Sequence, residues 1–408
     1  MQAFIRILFA AFAQAITGFL YVLMVLVAYV NIKVHAQLEY QWLGDSKEAL
    51  RNRIMELMLL GMLVGLLASL IIVGLGIVVD AACLMIIWPL TLLFSLVLKE
   101  QMSFAYAGTI AGLSSLLFGW PKADLAAILA LVGLMHLIEG LLITINAKKA
   151  IVPVVIKDKE DNPAAAFVLD RTWPIPLVLL IIPLVELPLS AEGISMPSWW
   201  PIFDSTSGFE TMTMLPLAFI IRFRDIVVAE KADRASQRSG LKVLLYGLLV
   251  IVLAYISKLY DPLRYPVLIM VPLSYHLLRI QSKRKKARQD PIYQAPWRGL
   301  RVLAIQADRP GQQMGIMTGD ILLNINGRPV NSPQMLAEAL KKNPTYIWVD
   351  IDREGQRLSL EHRDYQNDIE DLGLVFVPRR TGRFYKGYLK QANAFSLKGL
   401  LRKESKHL

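Results

Sequence analysis

Between positions 7 and 280 apolar residues gather into long runs separated by short polar or basic stretches, and after Pro296 the pattern shifts to short alternating segments broken by glycine turns. A helix needs about 20 mostly apolar residues to cross a hydrocarbon layer about 30 Å thick. Nine segments are candidates: 7–30, 55–79, 81–98, 103–120, 124–146, 173–190, 208–221, 241–257 and 264–280. A backbone inside lipid must satisfy its own hydrogen bonds, so all nine are predicted as helical. Two are irregular. Segment 173–190 holds Pro174, Pro176, Pro183 and Pro188 together with Glu186, and 208–221 is short and holds Pro216. Each is predicted as a half-helix or re-entrant piece. The first run has only Arg6 as a charged flank, is long, and shows no small-residue cleavage site before Lys33. It is therefore read as a span rather than a cleaved signal peptide.

Lys and Arg collect at one set of segment ends: Lys33, Lys47, Arg51 and Arg53, then Lys99, then 148–171, 222–238 and finally the run 283–288. The opposite loops carry only Lys122, Lys258 and Arg264. The positive-inside rule makes the basic side cytoplasmic, which puts the C-terminal tail inside and, with nine spans, the N-terminus outside. On that cytoplasmic side, 151–156 and 166–169 are apolar and flank a charged turn ending in Asn162-Pro163, which predicts a small β-hairpin beneath the membrane.

Composition agrees with the pattern. The 408 residues are 55% hydrophobic and 19% charged, against about a quarter charged in soluble domains. A wholly cytosolic enzyme and a disordered or fibrous chain are excluded. The single cysteine, Cys83, excludes an internal disulfide or a cysteine-ligated cluster. The net charge of +11 follows from juxtamembrane basic residues, each attracted to anionic lipid headgroups by about 1 kcal/mol. Nucleic acid is not the expected partner, because the run 283–288 lacks interleaved aromatics and directly follows a span.

The tail reads element by element. Residues 300–305 form a short strand, and Asp308-Arg309-Pro310-Gly311 a turn. Ile321, Leu323 and Ile325 alternate up to Asn326-Gly327, a pair favoured in type I′ turns. Ser332 and Pro333 suit the cap and first position of a helix with Met335, Leu336, Ala339 and Leu340 on one face. Strands 346–351 and 357–360 then form a hairpin through 352–355.

This order, with the string from Gly315 to Val330 at its centre, resembles a PDZ domain over roughly 299–362. PDZ domains bind an extended peptide, usually a C-terminus, as an added strand between one strand and one helix. Little chain lies upstream of Gly299 for the groove strand. Downstream, Leu372-Gly373-Leu374-Val375-Phe376-Val377 resembles the family's apolar-Gly-apolar loop running into a strand. A circularly permuted PDZ follows, with 371–378 as groove strand and the N–H groups near Gly373 and Leu374 holding a terminal carboxylate. Pro333, Ala337 and Leu340 would line the helix side. The alternative is a linker strand that packs elsewhere. Pro333 stands where many eukaryotic members have histidine, which disfavours ligands with Ser or Thr two residues before the end.

No catalytic constellation is found. The histidines 35, 136, 276, 362 and 407 provide no i, i+4 pair with a glutamate for a zinc protease. His136 and Glu139 sit one turn apart within a span, which suggests either a functional polar pair or interhelical hydrogen bonding, the latter being favoured. Ser114-Ser115 and Ser205-Thr206-Ser207-Gly208 do not supply a rhomboid-type string, and no phosphate-binding glycine loop occurs. Gly61, Gly65, Gly74 and Gly76 are read as close helix packing. The chain is therefore expected to be neither an enzyme nor a carrier of a metal or cofactor.

The expected fold is a polytopic α-helical membrane domain (1–282), a basic juxtamembrane linker (283–298), a small α+β PDZ domain (299–378) and a basic tail (379–408). This layout, with Arg171-Thr172-Trp173-Pro174 opening the sixth segment, resembles the MinJ family of cell-division topological determinants of Gram-positive bacteria. The resemblance implies a multi-pass scaffold at septum and poles that links the protein DivIVA to the MinCD division inhibitor. Two competing classes are an adaptor of a membrane protease and a transporter with a regulatory tail, the latter using Glu186 or Glu139.

Overall fold

The computed structural model describes residues 2–43, 49–96, 103–157, 160, 162–184, 199–203, 212–341, 345–364 and 369–379. The membrane half opens with helices α1 (Gln2–Thr17), α2 (Phe19–Leu43) and α3 (Leu50–Leu75). The predicted span 7–30 is thus two helices, broken at Gly18, the weakest helix former in the run. Helix α3 stops at Gly76, whose φ of 65° puts it in the left-handed region. There the Ile77 N–H reaches the Ile72 carbonyl and the Gly76 N–H that of Val73, closing a Schellman turn. Strand β1 (Val78–Asp80) leads into α4 (Ala81–Leu96), followed by α5 (Ser103–Phe118) and α6 (Leu125–Asn146). Asp124 caps α6 by accepting from the N–H groups of Ala126 and Ala127. The predicted hairpin is present as β2 (Ile151–Lys157) against β3 (Pro163–Ile182).

The predicted helical segments 173–190 and 208–221 need correction. Residues 173–182 continue β3, and β4 (Thr213–Val227) pairs antiparallel with it from Phe167↔Val227 to Ile181↔Thr213. A continuous apolar run reads equally well as buried helix or buried strand, and here the prolines decide. Between its partners β2 and β1, β3 has no strand on its second edge among the described residues. Alternate residues of an antiparallel strand turn their N–H and C=O to the same edge, so Pro174, Pro176 and Val178 all face α3. Proline has no N–H to leave unpaired there. The Val178 N–H donates to Ser69 Oγ at 2.9 Å, and that hydroxyl donates to the Gly65 carbonyl at 2.7 Å.

Glycine makes this contact possible. A Cβ at Gly61 would lie 2.0 Å from the Pro174 oxygen, and one at Gly65 2.1 Å from that of Pro176. Of the four glycines read as close helix packing, Gly61 and Gly65 pack closely but against a strand, a Cβ on Gly74 would meet nothing within 4 Å, and Gly76 caps α3 against Trp200 and Pro201. On the far edge Pro216 stands opposite Val178, and the Trp88 indole N–H donates to the Ala218 carbonyl at 2.9 Å. Prolines and side chains thus cover several of the ribbon's edge groups, as an apolar surrounding favours.

Helices α7 (Ala232–Leu259) and α8 (Arg264–Arg288) complete this half. Helices α6 and α7 meet through reciprocal glycines: a Cβ on Gly133 would reach the Gly247 oxygen at 2.9 Å, and one on Gly140 the Gly240 oxygen at 2.7 Å. Among the described residues four stretches, Phe19–Gln37, Leu50–Leu75, Leu125–Lys149 and Ala232–Leu259, are helical, long and apolar enough to cross a membrane. Large apolar side chains stand exposed along α3 (Leu59, Leu63, Leu67) and α7 (Leu241, Leu245, Leu249). Faces of that extent on a soluble protein would aggregate, so their solvent is lipid.

Strand β5 (Tyr293–Gln294) pairs with β3 and joins the tail to the ribbon. Beyond it come β6 (Leu300–Ile305), the single turn α9 (Pro310–Gln313), β7 (Ile321–Ile325), β8 (Arg328–Pro329) and α10 (Pro333–Leu340). Strands β9 (Tyr346–Arg353), β10 (Gln356–Arg363) and β11 (Leu374–Phe376) follow, and the sheet runs β10-β9-β7-β6-β11 with β8 on β7. Asn326 and Gly327 both take positive φ, 47° and 74°, as the hairpin turn demands. Ser332 caps α10 by accepting from the Met335 N–H at 3.2 Å. Asp320, 2% exposed, takes two hydrogen bonds from Arg353 and one from the Met317 N–H. That order of strands, with one capped helix packed into the core, is a PDZ-type α+β fold whose edge strand comes last in the chain.

Candidate functional site

Of the residues singled out on the tail, 372–376 lie at one edge of its sheet. Strand β11 pairs antiparallel with β6, Leu374 opposite Ile305 and Val375 opposite Ala304, and no strand lies on its other side among the described residues. Gly373 precedes it with φ of 67°; a Cβ there would press to 2.4 Å from that of Arg309. The Leu372 carbonyl accepts from the Gly311 N–H at 2.9 Å, and the Gly373 carbonyl from the Gln306 N–H at 2.8 Å. A trans peptide points its N–H opposite to its C=O. The Leu374 N–H therefore turns away from β6, toward the open edge.

Leu372 is fully buried and shapes the loop, whereas Leu374, Val375 and Phe376 are half-buried. Leu336 and Leu340 of α10 are buried in the same core that Leu374 and Phe376 pack against. Pro333 and Ala337 stand exposed on the helix. Ala337 is a small, exposed position about one turn from the buried Leu340.

Arg379 anchors the end of this strand. Its guanidinium donates to the carbonyls of Gly299 (2.6 Å), Pro296 (2.8 Å) and Asn331 (2.9 Å), tying the last described residue to the start of the domain. Nothing in the sequence pattern marked it. The other edge strand, β10, carries Arg357, Glu361 and Arg363, charged as exposed edges usually are.

In the membrane half, His136 Nδ1 and Glu139 Oε2 lie 2.8 Å apart, both buried, with the rings of Tyr275 and Tyr246 at 4.9 and 5.3 Å. His136 Nε2 has no hydrogen-bond partner. No group of three or more His, Cys, Asp or Glu suited to a metal occurs among the described residues. Glu186 lies outside them. Trp173 is fully buried and donates to Asn146 Oδ1 at 3.1 Å; Asn146 Nδ2 in turn donates to Glu56 at 2.6 Å. The Trp-Pro pair therefore fixes the ribbon to α6 and α3. A buried Arg53–Glu39 pair ties α3 to α2. Sequence reading missed both polar links, because their partners lie up to 90 positions apart.

No family model matches the chain. The "Cell division topological determinant MinJ" of Bacillus subtilis (strain 168) is 25% identical over 340 residues, spanning 78% of this chain and 81% of the relative. The chain is MinJ-like. The "Probable cell division topological determinant MinJ" of Lacticaseibacillus paracasei gives 26% over 331 residues, 79% of this chain and 85% of the relative. Among solved structures, PDZ domains of SdrC-like proteins from Listeria monocytogenes and Listeria innocua are similar to the tail. Each is 14% identical, covers 21% of this chain and 93% or 99% of its own, and has a TM-score of 0.18. The similarity to MinJ thus extends well beyond the tail into the membrane half.

Proposed function

We propose that the chain is a membrane-anchored scaffold in division-site selection, which captures a partner's peptide as an added strand on β11. The open edge carries the reading: an apolar edge strand, an outward Leu374 N–H behind Gly373, and a helix packed on the same core with a small exposed residue at Ala337. Strand addition supplies affinity through main-chain hydrogen bonds and specificity through side-chain pockets. In this reading Leu374, Val375 and Phe376 form the floor, and Pro333, Ala337 and Leu340 the helix wall. The N–H groups at Gly373 and Leu374 meet a terminal carboxylate.

The similarity to MinJ supports division proteins as the partners, with DivIVA on one side and the MinCD inhibitor on the other. The basic side of the membrane half faces the cytoplasm and its anionic lipids, which keeps the tail among those proteins. Confinement to a surface lets several weak contacts act together. The protein is then non-catalytic and gathers at septum and poles.

The test is a crosslinking pull-down from native membranes with wild type, Ala337→Arg and a truncation after Arg288. Division proteins recovered with wild type and lost in both variants support the reading. Division proteins kept by Ala337→Arg but lost on truncation overturn the groove at β11. Recovery of a membrane protease in their place moves the chain to the adaptor class.

A further inference from the structure

A cavity of about 130 Å³ opens between β4, α7 and α8, on the basic side of the membrane half. Its wall carries Arg224, Lys242, Arg279, Lys283 and Lys286 against one carboxylate, Asp225, which Lys286 engages. Cations from three elements converge here, so the excess charge belongs to a built concavity and not to one solvated helix face. The floor is apolar and aromatic, made by Tyr246, Tyr275 and Leu278 among others. Tyr246 is fixed by donating to the Val271 carbonyl at 2.6 Å.

The cavity also sits where both helices change character. On α7 the basic first third gives way to exposed Leu241, Leu245 and Leu248, and on α8 exposed Leu273, Leu277 and Leu278 give way to the basic run. A ligand seated among the cations would therefore have an apolar track leading from it along the lipid-facing side. Water takes up about 30 Å³ in the liquid, so the space suits a phosphate group with a few waters. A free anion would use the cations and leave the track empty; a phospholipid uses both.

We propose that this cavity binds the phosphate-bearing headgroup of an anionic phospholipid, with its acyl chains lying along α7 and α8. Basic pockets between membrane helices on the cytoplasmic side suit such headgroups, and guanidinium groups bind phosphate with two parallel hydrogen bonds. The proposal rests on the membrane-facing part of the proposed function and is independent of the peptide groove. The bound lipid would brace α8, the helix from which the tail extends.

The test uses the full chain in lipid nanodiscs of phosphatidylcholine with increasing phosphatidylglycerol, reading retained lipid by native mass spectrometry and the rise in Tm. Lys242→Gln with Arg279→Gln empties the cavity of two cations. Arg284→Gln with Lys285→Gln, on the exposed side of α8, removes the same charge from outside the cavity, in the adjacent basic run 283–288. The proposal expects at least a tenfold loss of phosphatidylglycerol affinity for the first pair and less than twofold for the second. Should the first pair fold poorly, Ser282→Asp places a carboxylate in the wall and is expected to give the same selective loss. Equal losses in the two pairs would reduce the effect to general surface attraction and overturn the site. Full displacement of lipid by millimolar inorganic phosphate would overturn the lipid as occupant in favour of a free anion. Division-protein capture by the cavity variants reports separately on the groove.

Discussion

Among the described residues there are two sheets, and they treat their edges in opposite ways. Along β3 and β4 edge groups are covered at five positions: Pro174, Pro176 and Pro216 have no N–H, Ser69 takes the one at Val178, and Trp88 supplies a donor to Ala218. Glycines at 61 and 65 let α3 lie against the carbonyls that remain. In the tail, β10 is guarded by charge, while β11 keeps an apolar, unguarded edge. An unpaired edge is a liability that folded proteins usually blunt. Leaving one open beside a groove is what strand addition needs, and closing the other two is what lipid needs.

The comparison breaks most sharply at the closed edge. Gly61→Leu would drive a side chain into the Pro174 carbonyl. The expected loss exceeds the about 1–3 kcal/mol of ordinary overpacking, seen as failure to purify a monodisperse protein or a large fall in Tm. Next is Asp320→Ala in the tail, which strands Arg353 and the Met317 N–H. Breaking a buried pair on one side costs about 3–5 kcal/mol, and partial exposure of Arg353 places the expected loss toward the lower end. Thermal unfolding of the full chain should show the tail transition falling while the membrane transition stays.

Ser69→Ala sharpens the comparison further. It leaves the Val178 N–H buried without an acceptor, a loss of about 1–3 kcal/mol, with faster amide exchange at the ribbon's centre. At the open edge Ala337→Arg should do the reverse, leaving Tm within about 0.5 kcal/mol as surface changes do while abolishing partner capture. The smallest effect concerns pH. Hydrogen bonds from Ser359 and then Asn324 hold the Asp350 carboxyl below its usual range. A depressed carboxylate stabilises the fold above its unfolded pKa, and the gain disappears as pH falls through the folded value. Asp350→Asn should lower the neutral plateau of the tail's stability slightly while leaving its acid end unchanged, which flattens the acid limb.

How much of this was legible follows from the same contrast. In the tail, local signals and global fold agree: Asn326-Gly327 makes its turn, Ser332-Pro333 starts its helix, and Gly373 takes the left-handed φ expected of a loop glycine. In the ribbon they conflict. Leu177 to Ile182 is as apolar as any span, and the prolines before it were read as breaks in a helix. Their spacing of two was the available sign of a strand, since proline at every other position suits one edge and no helix. The reciprocal glycines 133, 140, 240 and 247 were equally visible as a seven-residue spacing on two segments, but only packing shows that they face each other. The basic cavity was unreadable because its cations come from three elements, one of them wrongly taken for a helix.

The central claim is that β11 is the edge kept open for a partner. A photo-crosslinking residue placed at position 337 beside β11, and separately at position 357 on β10, tests it in native membranes. The account predicts adducts with division proteins from position 337 and none from 357, with the 337 adducts competed by a peptide bearing the partner's C-terminus. Adducts of equal yield at both edges, or from 357 alone, would contradict it.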